Sequence, residues 1–241
     1  MTTPAEVDAD PALIVVEVFG PTLQGEGPSA GQPASFIRLS RCNLSCSFCD
    51  TPYTWDWKRF DPRTESSRCS ATELAERVLS DAAGLVVITG GEPLLQQPQL
   101  VPLVRRLLGA GREVEIETNG TRVPMHELVA AGVRFNVSPK LANADLAEQQ
   151  RLAPEALKVW VRVADSGQAL FKFVACGQED LEEIDALVQR YGLAPVWVMP
   201  EGTTPEEVMA RGRVLADSVI ARNWGLTLRT HTLLWGDERG R

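Results

Sequence analysis

Three cysteines fall within eight residues, in the segment Cys42-Asn-Leu-Ser-Cys46-Ser-Phe-Cys49. The chain holds five cysteines, an odd number, and so tight a group suits reduced thiolates gathered on a metal better than a secreted disulfide framework. Three sulfur ligands on one loop can wrap a 4Fe-4S cluster and leave its fourth iron without a protein donor, free to take a small molecule. The competing possibility is a structural zinc site, which needs four ligands in closed geometry. Cys69, Cys176, His126 or His231 could supply the fourth, yet none stands at finger-like spacing.

Other residues able to do chemistry recur at regular places. Gly90-Gly91-Glu92-Pro93 offers a backbone that a ligand can approach closely and an acceptor for a cation. Gln24, within Thr22-Leu-Gln-Gly-Glu-Gly27, can read a donor-acceptor edge, and the planar fork of Arg38 suits a carboxylate. Asp50-Thr51 follows the last cysteine of the cluster, where Asx and Thr side chains commonly cap a turn. Glu117-Thr-Asn-Gly120, Ser138-Pro139-Lys140, Met199-Pro200-Glu201-Gly202 and Thr230-His231 complete the set. Each admits a plainer reading in isolation: a turn for residues 24–27, a surface ion pair for Arg38, an exposed acid for Glu117, a satisfied structural histidine for His231. His126 reads as a helix-surface residue, Cys69 and Cys176 as buried or incidental thiols, and Trp55 and Trp57 as shields for the thiolate loop.

The elements that must position these residues follow from hydrophobic period. Short apolar runs at 34–39, 85–89, 114–117, 133–137, 170–174 and 196–199 read as strands, and helical patterns occupy 71–82, 98–108, 124–131, 179–191 and 205–222. Two further strand-like segments flank the series, at 13–19 and 226–230, and 141–150 reads as a surface loop. This βα repetition predicts a mostly parallel sheet. The chemical residues follow the strands at their carboxyl ends, the edge where parallel α/β folds gather ligands. With six βα units instead of eight, the predicted architecture is an open partial (βα)6-type barrel with an extra N-terminal strand and a C-terminal strand, residues 1–241 forming one domain.

Charge and hydropathy narrow the function. A formal net charge of -8 disfavours a surface built to neutralise nucleic-acid phosphates, so a small-molecule substrate is expected. No apolar run reaches the length of a membrane helix and the first ten residues lack a leader pattern, which predicts a cytoplasmic protein without membrane contact.

The CxxxCxxC spacing followed by Gly-Gly-Glu-Pro resembles the radical S-adenosylmethionine (SAM) superfamily. The motifs from Val16 to His231 together are similar to those of its 7-carboxy-7-deazaguanine synthase family. That resemblance implies ring contraction of 6-carboxy-5,6,7,8-tetrahydropterin to 7-carboxy-7-deazaguanine with loss of ammonia. SAM, bound to the 4Fe-4S cluster of Cys42, Cys46 and Cys49, would act as a reusable source of a 5'-deoxyadenosyl radical. It further implies Mg2+ at Thr51 and pterin contacts from Leu23, Gln24, Gly25, Arg38, Thr89, Glu117 and His231. SAM contacts would come from Gly91, Glu92, Ser138, Pro139, Lys140, Met199, Pro200, Glu201 and Gly202. A flavodoxin- or ferredoxin-type electron donor and a homodimer are expected on the same ground. Some members of the family bring a terminal carboxylate to the substrate; residues 236–241 extend past that point, so this contact is not transferred. A glycyl-radical-enzyme activase shares the cysteine loop, but Gln24, Glu26 and Arg38 speak against it, and a zinc-stabilised binding module is the non-enzymatic alternative.

Overall fold

A computed structural model describes residues 10–240; residues 1–9, where the leader reading falls, and Arg241 lie outside the described residues. The strands are β1 (Ala12–Leu23), β2 (Pro33–Leu39), β3 (Ser67–Ser70), β4 (Leu85–Gly90), β5 (Glu113–Thr118), β6 (Arg134–Val137), β7 (Ala169–Ala175), β8 (Val196–Pro200) and β9 (Gly225–Leu226). The helices are α1 (Pro62–Glu65), α2 (Ala71–Leu79), α3 (Gln97–Gly109), α4 (His126–Ala130), α5 (Glu148–Arg151), α6 (Pro154–Asp165), α7 (Gln178–Tyr191), α8 (Pro205–Ala221) and α9 (Thr230–Trp235).

One sheet carries all the described strands in the order β3-β1-β2-β4-β5-β6-β7-β8-β9. From β2 through β8 every pairing is parallel, and β9 extends this series in parallel beside β8. β1 runs antiparallel to both β2 and β3. The two edges, β3 and β9, do not pair with each other, so the barrel stays open, as six βα units predict.

Alternation along the strands divides the residues between two faces. Val86 and Ile88, Val114 and Ile116, Phe135 and Val137, Phe171 and Phe173, and Val196 and Val198 enter the main core beneath the helices. On the opposite face Ala34, Phe36, Leu85 and Val87 form a small separate cluster at one end. Beyond it the same face presents Arg38, Thr89, Glu115, Glu117, Asn136 and Lys172 interspersed with apolar Leu170, Val174 and Met199, so polar side chains there are set among apolar ones. A polar group there needs partners, because burial without a hydrogen bond costs about 1–3 kcal/mol.

Local signals explain the helix starts. Ser70 with Glu73 and Thr204 with Glu207 form reciprocal capping boxes at α2 and α8, and Pro205 takes the first helical position of α8.

Three sequence expectations change. Helix α6 was not anticipated, although Leu157, Trp160 and Ala164 lie on its buried side; Trp160 is fully buried, meets Phe135 edge-on at 5.1 Å and donates Nε1–H to the Arg122 carbonyl at 3.1 Å. The expected loop at 141–150 contains the start of α5, whose Arg151 is buried. The C-terminal strand expected at 226–230 ends at Leu226, and Thr230 instead opens α9. Arg229 turns its side chain to Glu26 and Asp50, the side that alternation past Leu226 also gives it, and the helix begins at the next residue.

Candidate active site

The carboxyl ends of the parallel strands surround a cavity of about 230 Å³. Cys42, Cys46 and Cys49 all line it, on the loop after β2, and all three are free thiols of intermediate exposure. The loop is held from several sides. Ser47 N–H donates to the Ala144 carbonyl at 3.2 Å, Leu44 N–H to Cys42 Sγ at 3.4 Å, and the Trp55 indole to Cys49 Sγ at 3.2 Å. Burial, with the charge of Glu92 and the neighbouring thiols, pushes the Cys42 thiol up to about 12; burial also raises Cys46, against the attraction of Lys140. A bound metal deprotonates its thiol ligands outright, offsetting that burial. Among the described residues no three of His, Cys, Asp and Glu converge as ligands of a single metal ion. Three sulfurs on one loop facing one cavity fit a cluster held at three corners. Cys69 is buried on β3, and Cys176 is exposed beside Asn143, so neither completes a fourth position in the cavity.

The Gly-Gly-Glu-Pro loop after β4 packs against the cysteine loop. A Cβ at Gly91 would stand 2.1 Å from the Arg41 carbonyl oxygen, so glycine is demanded by the approach of one loop to the other. Gly91 lines the cavity, whereas Glu92 does not. The Glu92 carboxylate is completely buried and accepts from Thr118 Oγ1 at 2.7 Å, Asn119 N–H at 2.7 Å and Leu94 N–H at 2.9 Å. The acceptor expected beside a cation is thus a brace that ties the loop after β4 to the loop after β5.

On the other side of the cavity stand Leu23, Gln24, Gly25, Arg38, Thr89, Glu117 and His231, every pterin contact implied by the sequence. The Gln24 amide donates to Glu115 at 2.9 Å and to Glu117 at 3.3 Å, and Thr89 Oγ1 donates to Glu117 at 2.7 Å. Glu115 is saturated by Ser29 and Asn136, each at 2.7 Å, and burial raises its carboxyl against those bonds. Glu117, one turn of alternation further along β5, reaches the cavity. Arg38 is bonded through Nε alone, to Glu17 at 2.6 Å, and no hydrogen bond engages its Nη edge among the described residues. The acid partner anticipated as the plainer reading of Arg38 exists, but it occupies only one side of the guanidinium.

Gly25 makes room for His231: a Cβ there would fall 1.8 Å from the imidazole Nδ1, and Gly25 also accepts Thr230 N–H at 2.9 Å. Burial outweighs the nearby Glu26 charge and lowers the imidazole, so His231 is neutral near pH 7.

Ser138 and Lys140 line the cavity, with Lys140 Nζ donating to Ser138 Oγ at 2.9 Å. Buried Arg151 holds this loop through the Lys140 carbonyl at 2.8 Å and Glu183 at 2.7 Å. Met199, Glu201 and Gly202 line it as well. Pro139 and Pro200 do not; Pro139 faces Gly120 and Pro200 faces Gly212. Thr51 and Asp50 stand side by side in the wall, with Thr51 Oγ1 3.7 Å from Cys49 Sγ.

The sequence reading missed a chain of charge, Asp50–Arg229–Glu26–Lys172, that runs from exposed Asp50 to buried Lys172, all four lining the cavity. Arg229 also donates to the Gly202 carbonyl at 2.7 Å. Lys172 and Arg229 together overcome the burial of Glu26 and hold its carboxyl far below the usual range. A lysine in the middle of the apolar run Leu170-Phe-Lys172-Phe-Val174 is the signal that could have found Lys172, since alternation places it opposite the core.

Comparison with known proteins agrees with this geometry. Residues 36–166 match the Radical SAM superfamily. A 7-carboxy-7-deazaguanine synthase of Pyrobaculum aerophilum is 35% identical over 238 residues, covering 98% of this chain and 100% of the relative. One of Koribacter versatilis is 45% identical over 242 residues, covering 93% and 97%. The crystal structure of QueE from Escherichia coli superposes with a TM-score of 0.68 at 29% identity, over 91% of this chain and 95% of that one.

Proposed function

The chain belongs to the 7-carboxy-7-deazaguanine synthase family of the radical SAM superfamily, and on that premise we propose how its cavity divides the work between cofactor and substrate. The enzyme is a lyase that contracts the ring of 6-carboxy-5,6,7,8-tetrahydropterin to 7-carboxy-7-deazaguanine with loss of ammonia. The observation that carries the reading is that Cys42, Cys46 and Cys49 share one cavity with Gln24, Arg38, Thr89 and Glu117.

Cys42, Cys46 and Cys49 hold a 4Fe-4S cluster, which together with SAM supplies the radical chemistry that starts the ring contraction and the hydrogen that ends it. The open Nη edge of Arg38 receives the substrate carboxylate, since a planar fork pairs with a planar anion. Glu117, fixed by Thr89 and Gln24, accepts from the pterin N–H groups, and neutral His231 adds a hydrogen bond from α9. The backbone around Leu23 and Gly25 completes that wall. Gly91, Ser138, Lys140, Met199, Glu201 and Gly202 face SAM, with Glu92, Pro139 and Pro200 shaping their loops. Thr51 would give a hard oxygen to Mg2+ bound beside the substrate. Holding both molecules in one closed site fixes their orientation and excludes side reactions. Residues 1–241 act as one functional unit. The electron is delivered by a flavodoxin- or ferredoxin-type donor to a homodimer in the cytoplasm. Reduced thiols suit that compartment, and among the described residues no helix is long and apolar enough to cross a membrane.

The test is anaerobic incubation with SAM, reductant, magnesium and substrate deuterated at the carboxylate-bearing carbon, read by mass spectrometry. Product should greatly exceed deoxyadenosine, and deuterium should accumulate in SAM over repeated turnovers. Arg38→Ala should weaken substrate use by about 1 to 3 kcal/mol, the cost of leaving a charged partner unpaired, with cluster content unchanged. Stoichiometric deoxyadenosine with no label in SAM would contradict the assignment and favour an activase-like reaction.

Magnesium is tested separately. Thr51→Ala should retain its iron yet respond less to added magnesium, and an unchanged response would remove Thr51 from the metal site.

A further inference from the structure

The segment after α9 does not leave the molecule at the cavity. Gly236, at φ +69°, ends the helix, and the chain turns back so that Arg239 donates to Glu17 Oε2 at 2.8 Å and to Glu65 at 3.3 Å. The Arg239 guanidinium lies 4.0 Å over the Tyr53 ring, and the Tyr53 hydroxyl donates to Glu17 Oε1 at 3.2 Å. Glu17 Oε1 also receives Arg38 Nε, while Arg38 spreads over Phe19, 5.4 Å from its centroid. One carboxylate thus joins the residue proposed to meet the substrate to a residue at the far end of the chain.

The geometry at Glu17 is informative because it is incomplete. An arginine and a carboxylate in contact usually pair through two parallel bonds. Here Glu17 spends one oxygen on Arg38 Nε and the other on Arg239, so the Arg38 Nη edge stays open toward the cavity. Burial would raise the Glu17 carboxyl, but the Arg239 bond and the charge of Arg38 more than offset it and hold it ionised. An ionised Glu17 freed from Arg239 could swing across the Nη edge and compete with any incoming carboxylate.

We propose that Arg239 and Glu17 are positioning residues for substrate recognition. Arg239 straps the post-α9 segment onto β1 and draws the second Glu17 oxygen away from Arg38, which keeps the arginine edge available for the pterin carboxylate. This rests on the reading of Arg38 given above, and the experiment separates the two.

In the reconstituted holoenzyme, Arg239→Ala should raise KM for the carboxytetrahydropterin roughly 2- to 5-fold, the size of one partly exposed charged contact. Its kcat, iron content and SAM affinity should stay as in the parent. Arg239→Lys should recover part of the loss. Adding Glu17→Gln to Arg239→Ala should also lower KM again, because the competing anion is gone. Inhibition by tetrahydropterin lacking the carboxylate should be the same in parent and Arg239→Ala. Arg38→Ala serves as the control: if it weakens carboxylated and carboxylate-free pterins equally, the reading of Arg38 falls. If Arg38→Ala is selective for the carboxylated ligand but Arg239→Ala leaves KM unchanged, the strap is overturned. A kcat loss in Arg239→Ala at unchanged KM, or a further rise of KM in the double variant, overturns it equally.

Discussion

Cys42→Ala, Cys46→Ala and Cys49→Ala should each yield protein that takes up little iron and sulfide on anaerobic reconstitution and makes no product. Each thiol lines the same cavity, and a cluster that must leave one iron open to SAM has no surplus protein ligand. Cys69→Ala and Cys176→Ala should keep the brown colour and turnover. Cys69 packs in the core on β3, where its loss removes only a small buried sulfur, and Cys176 is exposed beside Asn143. Iron and sulfide content, visible absorption and product yield measured on the five proteins decide the matter. Loss of the cluster in either outer variant together with activity in a motif variant would overturn the ligand assignment, and colourless zinc-bearing parent protein would overturn the enzyme itself.

The parallel strands were legible because apolar alternation and β-branched residues coincide in them, and the cavity-facing motifs were legible because they follow those strands. What escaped had mixed signals. Val159, Val161 and Val163 give α6 a strand-like composition, and Pro154 at its start reads as a breaker, although it sits where a helix tolerates proline. Residues 226–230 alternate like a strand, with Thr227 and Arg229 buried, but the pairing with β8 stops at Leu226 and Thr230 opens a helix. Glu92 is recognisable by its motif, but the bracing of its side chain is not, because sequence shows a carboxylate and not the two loops that close over it. Asp50 reads as a turn residue until Arg229, 179 positions away, is seen against it. Long-range ion pairs of this kind leave no local pattern.

The Glu26–Lys172 link of that chain carries the largest stability effect expected in the protein. Glu26→Ala removes the anion between Lys172 and Arg229, whose side chains are only 6% and 9% exposed. Arg229 retains Asp50, but Lys172 loses its direct partner and keeps only the longer-range attraction of Glu117 and Glu115. Breaking a buried pair in this way costs about 3–5 kcal/mol, because the remaining ion keeps its desolvation penalty. Urea unfolding of the apoprotein should show that loss, and Glu26→Ala combined with Lys172→Met should recover most of it, since no ion is then stranded. The pH dependence has a definite sign. Burial opposes charge on both partners, but the pairing prevails, lowering Glu26 and raising Lys172. The contribution of Glu26 is therefore complete above its ordinary value of 4.5 and lost as pH falls through its depressed value; that of Lys172 is complete below 10.5 and lost as pH rises through its elevated one. The stability difference between parent and double variant should accordingly shrink below 4.5 and above 10.5. Buried Glu92 and Glu115, both raised, work in the opposite sense on the acid side; Glu92 is common to the two proteins and cancels, whereas Glu115 feels Lys172 and His231 feels Glu26, so both add to the difference. A Glu26→Ala protein within 1 kcal/mol of the parent, or a double variant no more stable than the single one, would show that the pair does not hold β7 to the loop after β1 in the way its geometry implies; about 1 kcal/mol is what an ordinary exposed pair yields.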